Sequence, residues 1–114
     1  MSKKPKPCKV KIYVYAYLKA IYQPATELKP FWGLPTLSEA FQKFIEDDLF
    51  ALIKANELRK MDYRLIVKPI TLKVRCDIAK LWEGLLPEQK EHVLYWFNIE
   101  LHSRVDKLLG RLIR

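Results

Sequence analysis

The sequence lacks the residues and segments that mark several large classes of protein. It has three glycines and seven prolines in 114 residues, which excludes collagen-like and low-complexity chains. No apolar run is long enough to cross a bilayer, because lysines interrupt every candidate. The basic opening Met-Ser-Lys-Lys-Pro-Lys-Pro has no apolar segment behind it, so we expect no secretory signal, no membrane partner and a cytoplasmic location.

Motifs for catalysis, metals and cofactors are also missing. There is no glycine-rich phosphate loop, and Cys8 and Cys76 fit neither a metal-ligand spacing nor a Cys-x-x-Cys redox motif. His92 and His102 lie about three turns apart on one predicted helix, so they cannot share a metal ion. We expect each of them to lie at the surface or in an interface. The sequence therefore predicts a protein that is not an enzyme and needs no cofactor or metal.

The two cysteines leave two alternatives open. In a reducing cytosol we expect Cys8 and Cys76 to be free thiols, although the intracellular proteins of hyperthermophiles are often rich in disulfides. The strands next to the cysteines decide whether a bridge is possible. Antiparallel strands bring the two cysteines together, whereas parallel strands separate them by about 20 Å.

Positive charge is what the sequence has in excess, with a net charge of +8. The first 20 residues carry six lysines and no acid, and residues 64–75 carry four bases and no acid. Acids concentrate instead in residues 36–62 and 76–103. Charge of one sign over part of a surface suits a polyanion partner; the alternative is a solvated surface that only aids solubility.

Hydrophobic periodicity predicts an α+β fold. Residues 9–22 place apolar side chains at even positions and lysines and tyrosines at most odd positions, a period of two that is typical of a strand. Residues 63–75 are rich in branched side chains and form a second strand region, which Pro69 divides. Periods of three and four predict three helices that pack on this small sheet, at about 36–58, 77–86 and 88–112.

The organisation along the chain is simple. We expect a flexible basic tail over residues 1–8 and one compact domain over residues 9–114. Thr36-Leu-Ser-Glu39 is a capping box that begins the first helix. The broad apolar band of the last helix suggests burial from two sides, and therefore a homodimer.

Three tyrosines form the most distinctive pattern in the first predicted strand. Tyr13, Tyr15 and Tyr17 fall on one face at intervals of about 7 Å, near Lys9 and Lys11. Tyrosine rings can stack on bases while lysines hold phosphates. The alternative is a packing face, because aromatic residues favour strands and suit a covering helix.

The strand Ile70-Thr71-Leu72-Lys73-Val74-Arg75 and the two helices after it resemble the ribbon-helix-helix family of small DNA-binding proteins. In that family two chains pair these strands into a ribbon that enters the major groove. The resemblance implies a homodimer in which Thr71, Lys73 and Arg75 read the bases. The overall style also resembles small proteins of viruses that infect hyperthermophilic archaea, which implies a location in the host cytoplasm.

Two functions follow from these patterns. The leading interpretation is a non-catalytic nucleic-acid-binding protein, a dimeric DNA-binding regulator of the ribbon-helix-helix kind. Its predicted contact residues are Thr71, Lys73, Arg75, Lys9, Lys11, Tyr13, Tyr15 and Tyr17. The alternative is a structural or protein–protein interaction module that self-assembles through its sheet edge and its C-terminal helix.

Overall fold

The structure is a computed structural model that describes residues 6–22, 36–62, 64 and 69–113. Its elements are strand β1 (Cys8–Ile12), helix α1 (Ala16–Tyr22), helix α2 (Leu37–Ile53), strand β2 (Ile70–Val74), helix α3 (Cys76–Glu83) and helix α4 (Pro87–Ile113). The α+β class predicted from the sequence is confirmed. Of the predicted tail and second strand, residues 1–5, 63 and 65–68 lie outside the described residues.

The two strands pair antiparallel. The opposed pairs are Cys8–Val74, Lys9–Lys73, Val10–Leu72, Lys11–Thr71 and Ile12–Ile70. Because side chains alternate between the faces of a strand, the apolar residues lie on one face and the lysines on the other. Helix α2 packs on β2 and helix α3 on β1, so the apolar face is covered by helices.

Buried aromatic rings connect helices α2, α3 and α4. Phe41 of α2 packs edge-to-face on Trp82 of α3 and on Phe97 of α4, with ring centroids 5.3 and 5.4 Å apart. Such pairs contribute about 1 kcal/mol beyond their buried area. Helix α2 begins as predicted, because Oγ1 of Thr36 accepts a hydrogen bond from the N–H of Glu39 at 3.2 Å.

The first strand is much shorter than predicted. It ends at Ile12, and the last seven residues of the predicted strand 9–22 form helix α1. The even-numbered apolar pattern also fits a helix, because Val14, Leu18 and Tyr22 are four residues apart and all three are buried. The segment also contains two alanines, which favour a helix over a strand. Beyond Ile12, the period of two therefore does not distinguish a strand from a helix.

Because β1 ends at Ile12, the three tyrosines also fail to form the single row that the sequence predicted. Tyr13 and Tyr15 lie in the connection after β1, and Tyr17 lies in α1, so the three rings do not share one strand face. The described residues contain four helices where three were predicted. Helices α3 and α4 lie where the sequence placed them to within a few residues, and α2 ends early, at Ile53.

One buried side chain, Asn98 of α4, stabilises the junction between β1 and α1. Its Oδ1 accepts a hydrogen bond from the N–H of Tyr15 at 3.0 Å, and its Nδ2 donates to the carbonyl oxygens of Tyr13 at 3.0 Å and Leu94 at 2.8 Å. The strand pairing has already ended at Ile12. Asn98 therefore bonds backbone groups that a longer strand pair would otherwise have satisfied.

A disulfide joins Cys8 to Cys76, with their Cα atoms 5.0 Å apart. The expectation of free thiols is therefore wrong. Antiparallel pairing places the start of β1 beside the end of β2, which is the arrangement under which the sequence allowed a bridge. The two cysteines are 68 residues apart in sequence, so the bridge closes a long loop.

Replacing both cysteines with serine is expected to lower the free energy of unfolding by about 2–4 kcal/mol, because the bridge restricts the unfolded chain. Urea unfolding followed by circular dichroism measures the change. A reductant should destabilise the wild type and leave the Cys8→Ser/Cys76→Ser variant unchanged. Equal unfolding midpoints for the two proteins without reductant would contradict a stabilising bridge.

Replacing Asn98 with alanine is expected to cost about 2–4 kcal/mol of unfolding free energy, since partly buried backbone groups of Tyr13 and Tyr15 lose their partner. The exposed Asn56 provides a matched control, and Asn56→Ala should change stability by less than about 0.5 kcal/mol. Urea unfolding of both variants makes the comparison. If the two substitutions have the same effect on stability, Asn98 does not stabilise the junction between β1 and α1.

Candidate nucleic-acid interface

The exposed face of the sheet carries Lys9, Lys11, Thr71 and Lys73, and we name these four residues the lysine face. Lys9 lies directly opposite Lys73. In such pairs the Cβ atoms are about 5 Å apart, and like charges destabilise the sheet. None of the three lysines forms an ion pair within the described part of the chain. The face therefore presents three positive charges that no carboxylate of the described residues neutralises by an ion pair.

Arg75 follows the last residue of β2, and the protein itself neutralises its charge. Its guanidinium contacts the carboxylate of Glu46 on α2, and its Nε lies 3.3 Å from Oδ1 of Asp77 on α3. Its backbone N–H donates to Oε1 of Gln42 at 2.9 Å. Of the three residues that the family resemblance singled out, the structure leaves Thr71 and Lys73 on the open face. Arg75 links the end of β2 to two helices.

The three tyrosines have different surroundings. Tyr13 is half-buried and lines a cleft beside Lys11. The hydroxyl of Tyr15 accepts a hydrogen bond from the N–H of Asp62 at 3.3 Å. The hydroxyl of Tyr17 lies 3.0 Å from Nδ1 of His102, and burial raises the pKa of this hydroxyl. Tyr13 thus lies beside Lys11 of the lysine face, and the hydroxyls of Tyr15 and Tyr17 contact Asp62 and His102.

The cleft that Tyr13 lines has a volume of about 600 Å³. Lys11 belongs both to this cleft and to the lysine face, so the two features are continuous. Leu94 and Trp82 contribute apolar surface, and Trp82 is only 2% exposed. Lys60 adds a second ammonium group to the lining, and it forms no ion pair with any described residue.

Carboxylates also line the cleft. Glu83 lies 3.4 Å from the ammonium group of Lys90, which itself sits 5.8 Å from the ring centroid of Trp82. Glu91 accepts a hydrogen bond from the N–H of Met61 at 3.2 Å. The carboxylate of Glu88, in the first turn of α4, has no ion pair or hydrogen bond to any residue that the structure describes. The lining therefore combines ammonium groups, carboxylates and aromatic surface.

The segment that carries Lys60 is fixed to α4 on both sides of this lysine. The N–H of Met61 donates to Glu91, and the N–H of Arg59 donates to Nδ1 of His92 at 2.8 Å. His92 is 2% exposed in the single chain, so the expectation that it lies at the surface or in an interface is wrong. Arg59 is 33 residues from His92 in sequence, and no local pattern indicates such a contact. His102 is exposed, as predicted.

Comparisons with protein families, with curated proteins and with solved structures gave no match. Within the described ranges, no helix has both the length and the apolar character needed to span a membrane. The same residues contain no group of three or more His, Cys, Asp or Glu that could hold a metal ion.

Stability is expected to fall as the pH falls below 6.5, the ordinary pKa of histidine. Burial lowers the pKa of His92 below that value; the charge of Arg59 also lowers it, and the Leu52 backbone opposes the shift. Between 6.5 and the lowered pKa, the unfolded chain binds a proton that the native chain does not. Acidification through this window therefore favours unfolding.

His92→Asn tests this assignment, because asparagine keeps an acceptor for the N–H of Arg59 and does not titrate. Urea unfolding between about pH 8 and about pH 5 gives the dependence for both proteins. The wild type should lose more stability than the variant on acidification. Parallel curves would show that another group causes the loss.

Proposed function

We propose that this chain is a non-catalytic nucleic-acid-binding protein and that the lysine face is its contact surface. The observation that carries the proposal is the pairing of Lys9 opposite Lys73, neither of which forms an ion pair with a described residue. This pairing disfavours folding, and a bound polyanion removes the repulsion. A phosphate backbone supplies negative charges along an extended path, and lysines that neutralise it release counterions.

The charge continues beyond the sheet. Lys6, at the end of the basic N-terminal segment, lines a second cleft of about 510 Å³ together with Lys73. The two clefts thus begin at opposite ends of the lysine face, one at Lys11 and the other at Lys73. A chain of phosphates that crosses the face meets basic side chains on both sides.

DNA is the form of nucleic acid that the ribbon-helix-helix resemblance implies, with Thr71 and Lys73 facing the bases. A two-stranded ribbon has the width to enter a major groove. In this chain, β2 finds its ribbon partner in β1 of the same chain, whereas family members pair strands from two chains. A homodimer, the oligomeric state we propose for the regulator, is therefore not needed to complete the ribbon.

The second candidate is an interaction module that assembles with further copies of itself. It is favoured by Trp96 and Ile99 of α4, which are 37% and 39% exposed. These side chains line a groove of about 330 Å³ that also includes Leu52 of α2. Sedimentation at increasing protein concentration detects this behaviour without nucleic acid, and a module of this kind alone would show no affinity for oligonucleotides.

Replacing Lys9 and Lys73 with alanine is expected to weaken oligonucleotide binding by about tenfold for each lysine, because each substitution removes a charge-assisted contact to phosphate. Fluorescence anisotropy at low salt measures the affinity. Unfolding experiments should show no loss of stability, since the substitutions remove a repulsion between like charges. Weaker binding would then not be a result of misfolding.

The matched control is Lys43→Ala/Lys54→Ala, which lowers the net charge by the same amount on helix α2. The ammonium group of Lys43 is paired with Asp47 at 3.3 Å, and Lys54 is the C-cap residue of α2. This variant should retain most of the affinity. Equal losses in the two double variants, or no binding by the wild type, would rule out the lysine face as the contact surface.

A further inference from the structure

The disulfide closes the end of the sheet at which two lysines oppose each other. Cys8 is the first residue of β1 and lies opposite Val74. The next pair along the ladder is Lys9 opposite Lys73. The described sheet has two strands of five residues each, and so small a sheet contributes little stability by itself. The covalent link therefore holds together a strand end that like charges push apart.

The bridge is within reach of a reductant. Cys8 and Cys76 are both partly exposed, and Lys6 and Pro7, which precede Cys8, are exposed. Cys76 also lines the cleft of about 510 Å³ at this end of the lysine face. Sγ of Cys76 lies 3.4 Å from the carbonyl oxygen of Lys6, so the bridge also adjoins the basic N-terminal segment. A thiol reagent can therefore reach the sulfurs without unfolding the core.

The charges around the bridge favour its reduction. Lys6 and Lys73 line the cleft beside Cys76, and Cys76 is the first residue of α3. Asp77 lines the same cleft, but its carboxylate is paired with Arg75. Lysines and a helix N-terminus stabilise a thiolate, and a sulfur that is stable as a thiolate leaves a disulfide fast. Cys76 is therefore the better leaving group of the two cysteines.

A dithiol opens the bridge in two steps. One thiolate of the dithiol attacks Sγ of Cys8, the S–S bond breaks, and its electron pair leaves with Sγ of Cys76. The second thiol of the dithiol then attacks the mixed disulfide and releases Cys8. The bridge has gained two electrons, the dithiol has become a disulfide, and its two protons have passed to the cysteines or to water.

Reduction changes the lysine face because Lys9 follows Cys8 directly. Without the bridge, no covalent link opposes the repulsion between Lys9 and Lys73, so the first residues of β1 separate from β2. Val10 and Ile12 are buried in the core, and they keep the rest of β1 in place. A phosphate chain that crosses the face then loses the preorganised position of Lys9.

We propose that the Cys8–Cys76 bridge regulates the lysine face: the oxidised chain binds nucleic acid, and reduction by a dithiol weakens this binding by about tenfold, the contribution of one lysine. This regulation rests on the nucleic-acid binding proposed above. Because coupling between two equilibria is reciprocal, bound nucleic acid makes the bridge about tenfold harder to reduce. For a two-electron couple, a tenfold change lowers the midpoint potential by about 30 mV.

Fluorescence anisotropy on one DNA duplex compares the protein in reduced dithiothreitol with the protein in oxidised dithiothreitol. The reduced chain should bind about tenfold more weakly, with a salt slope shallower by about 0.9 because one phosphate contact is lost. Thiol titration should count two thiols, and circular dichroism should show unchanged helix content. Equal affinities, a bridge that stays closed, or loss of helix on reduction would overturn the proposal.

Three variants locate the effect. Lys9→Ala lacks both the repulsion and the phosphate contact, so reduction should change its affinity by less than about twofold. Lys54→Ala removes the same charge at the C-cap of α2 and should keep the tenfold dependence. Cys8→Ser/Cys76→Ser should bind as weakly as the reduced wild type in either reagent. The same redox dependence in Lys9→Ala and Lys54→Ala would contradict the role of Lys9.

The reciprocal effect is measured on the bridge itself. Equilibration with mixtures of reduced and oxidised dithiothreitol, with and without a saturating duplex, gives the midpoint potential of the bridge in each case. The duplex should lower this potential by about 30 mV. The same potential with and without the duplex would contradict the coupling.

NMR without nucleic acid distinguishes failure of this regulation from failure of the proposed function. Reduction should move the amide signals of Lys9 and Val74 towards the values of an unstructured chain and leave those of Phe97 and Leu101 in place. Opening of the strand end without binding by either form would remove both the proposed function and its regulation. Equal binding by the two forms would retain the proposed function and overturn the regulation.

Discussion

The hydrogen bonds of Asn98 fix the point at which the extended chain becomes helical, and the rest of the structure depends on that point. Strand pairing ends at Ile12, so the backbone of Tyr13 and Tyr15 needs partners inside the core. A buried amide suits this position because it offers donors and an acceptor together. By binding both residues, Asn98 directs α1 along α4 and leaves Tyr13 at the cleft. The candidate interface is thus positioned by a contact between the two ends of the chain.

The basic residues of the sheet fall into two groups, one paired with carboxylates and one not. The carboxylates of Glu46 and Asp77 are directed to Arg75, where they connect β2 to the helices, and the lysines of the open face are left without them. The disulfide between Cys8 and Cys76 fixes the end of the sheet next to this cluster. Such bridges persist in oxidising compartments and in the intracellular proteins of hyperthermophiles.

Local patterns predicted much of the fold, and contacts between distant segments explain what they missed. The capping box at Thr36, the periodicity of α2 and α4 and the alternation of β2 are local, so they could be predicted. The end of β1 could not, because apolar residues four apart satisfy a strand and a helix equally. Asn98 bonds Tyr15 across 83 residues and His92 bonds Arg59 across 33. The two strand patterns were enough to predict the lysine face. The cleft could not be predicted, because it depends on these long-range contacts.

The salt dependence of nucleic-acid affinity tests most directly whether the lysine face holds phosphates. The logarithm of the affinity falls linearly with the logarithm of salt concentration, with a slope of about −0.9 per neutralised phosphate on duplex DNA and about −0.7 on a single strand. If Lys9 and Lys73 each neutralise one phosphate, the double alanine variant has a slope shallower by about 1.8 on duplex and about 1.4 on a single strand. Identical slopes for the wild type and the variant would contradict a phosphate contact at the lysine face.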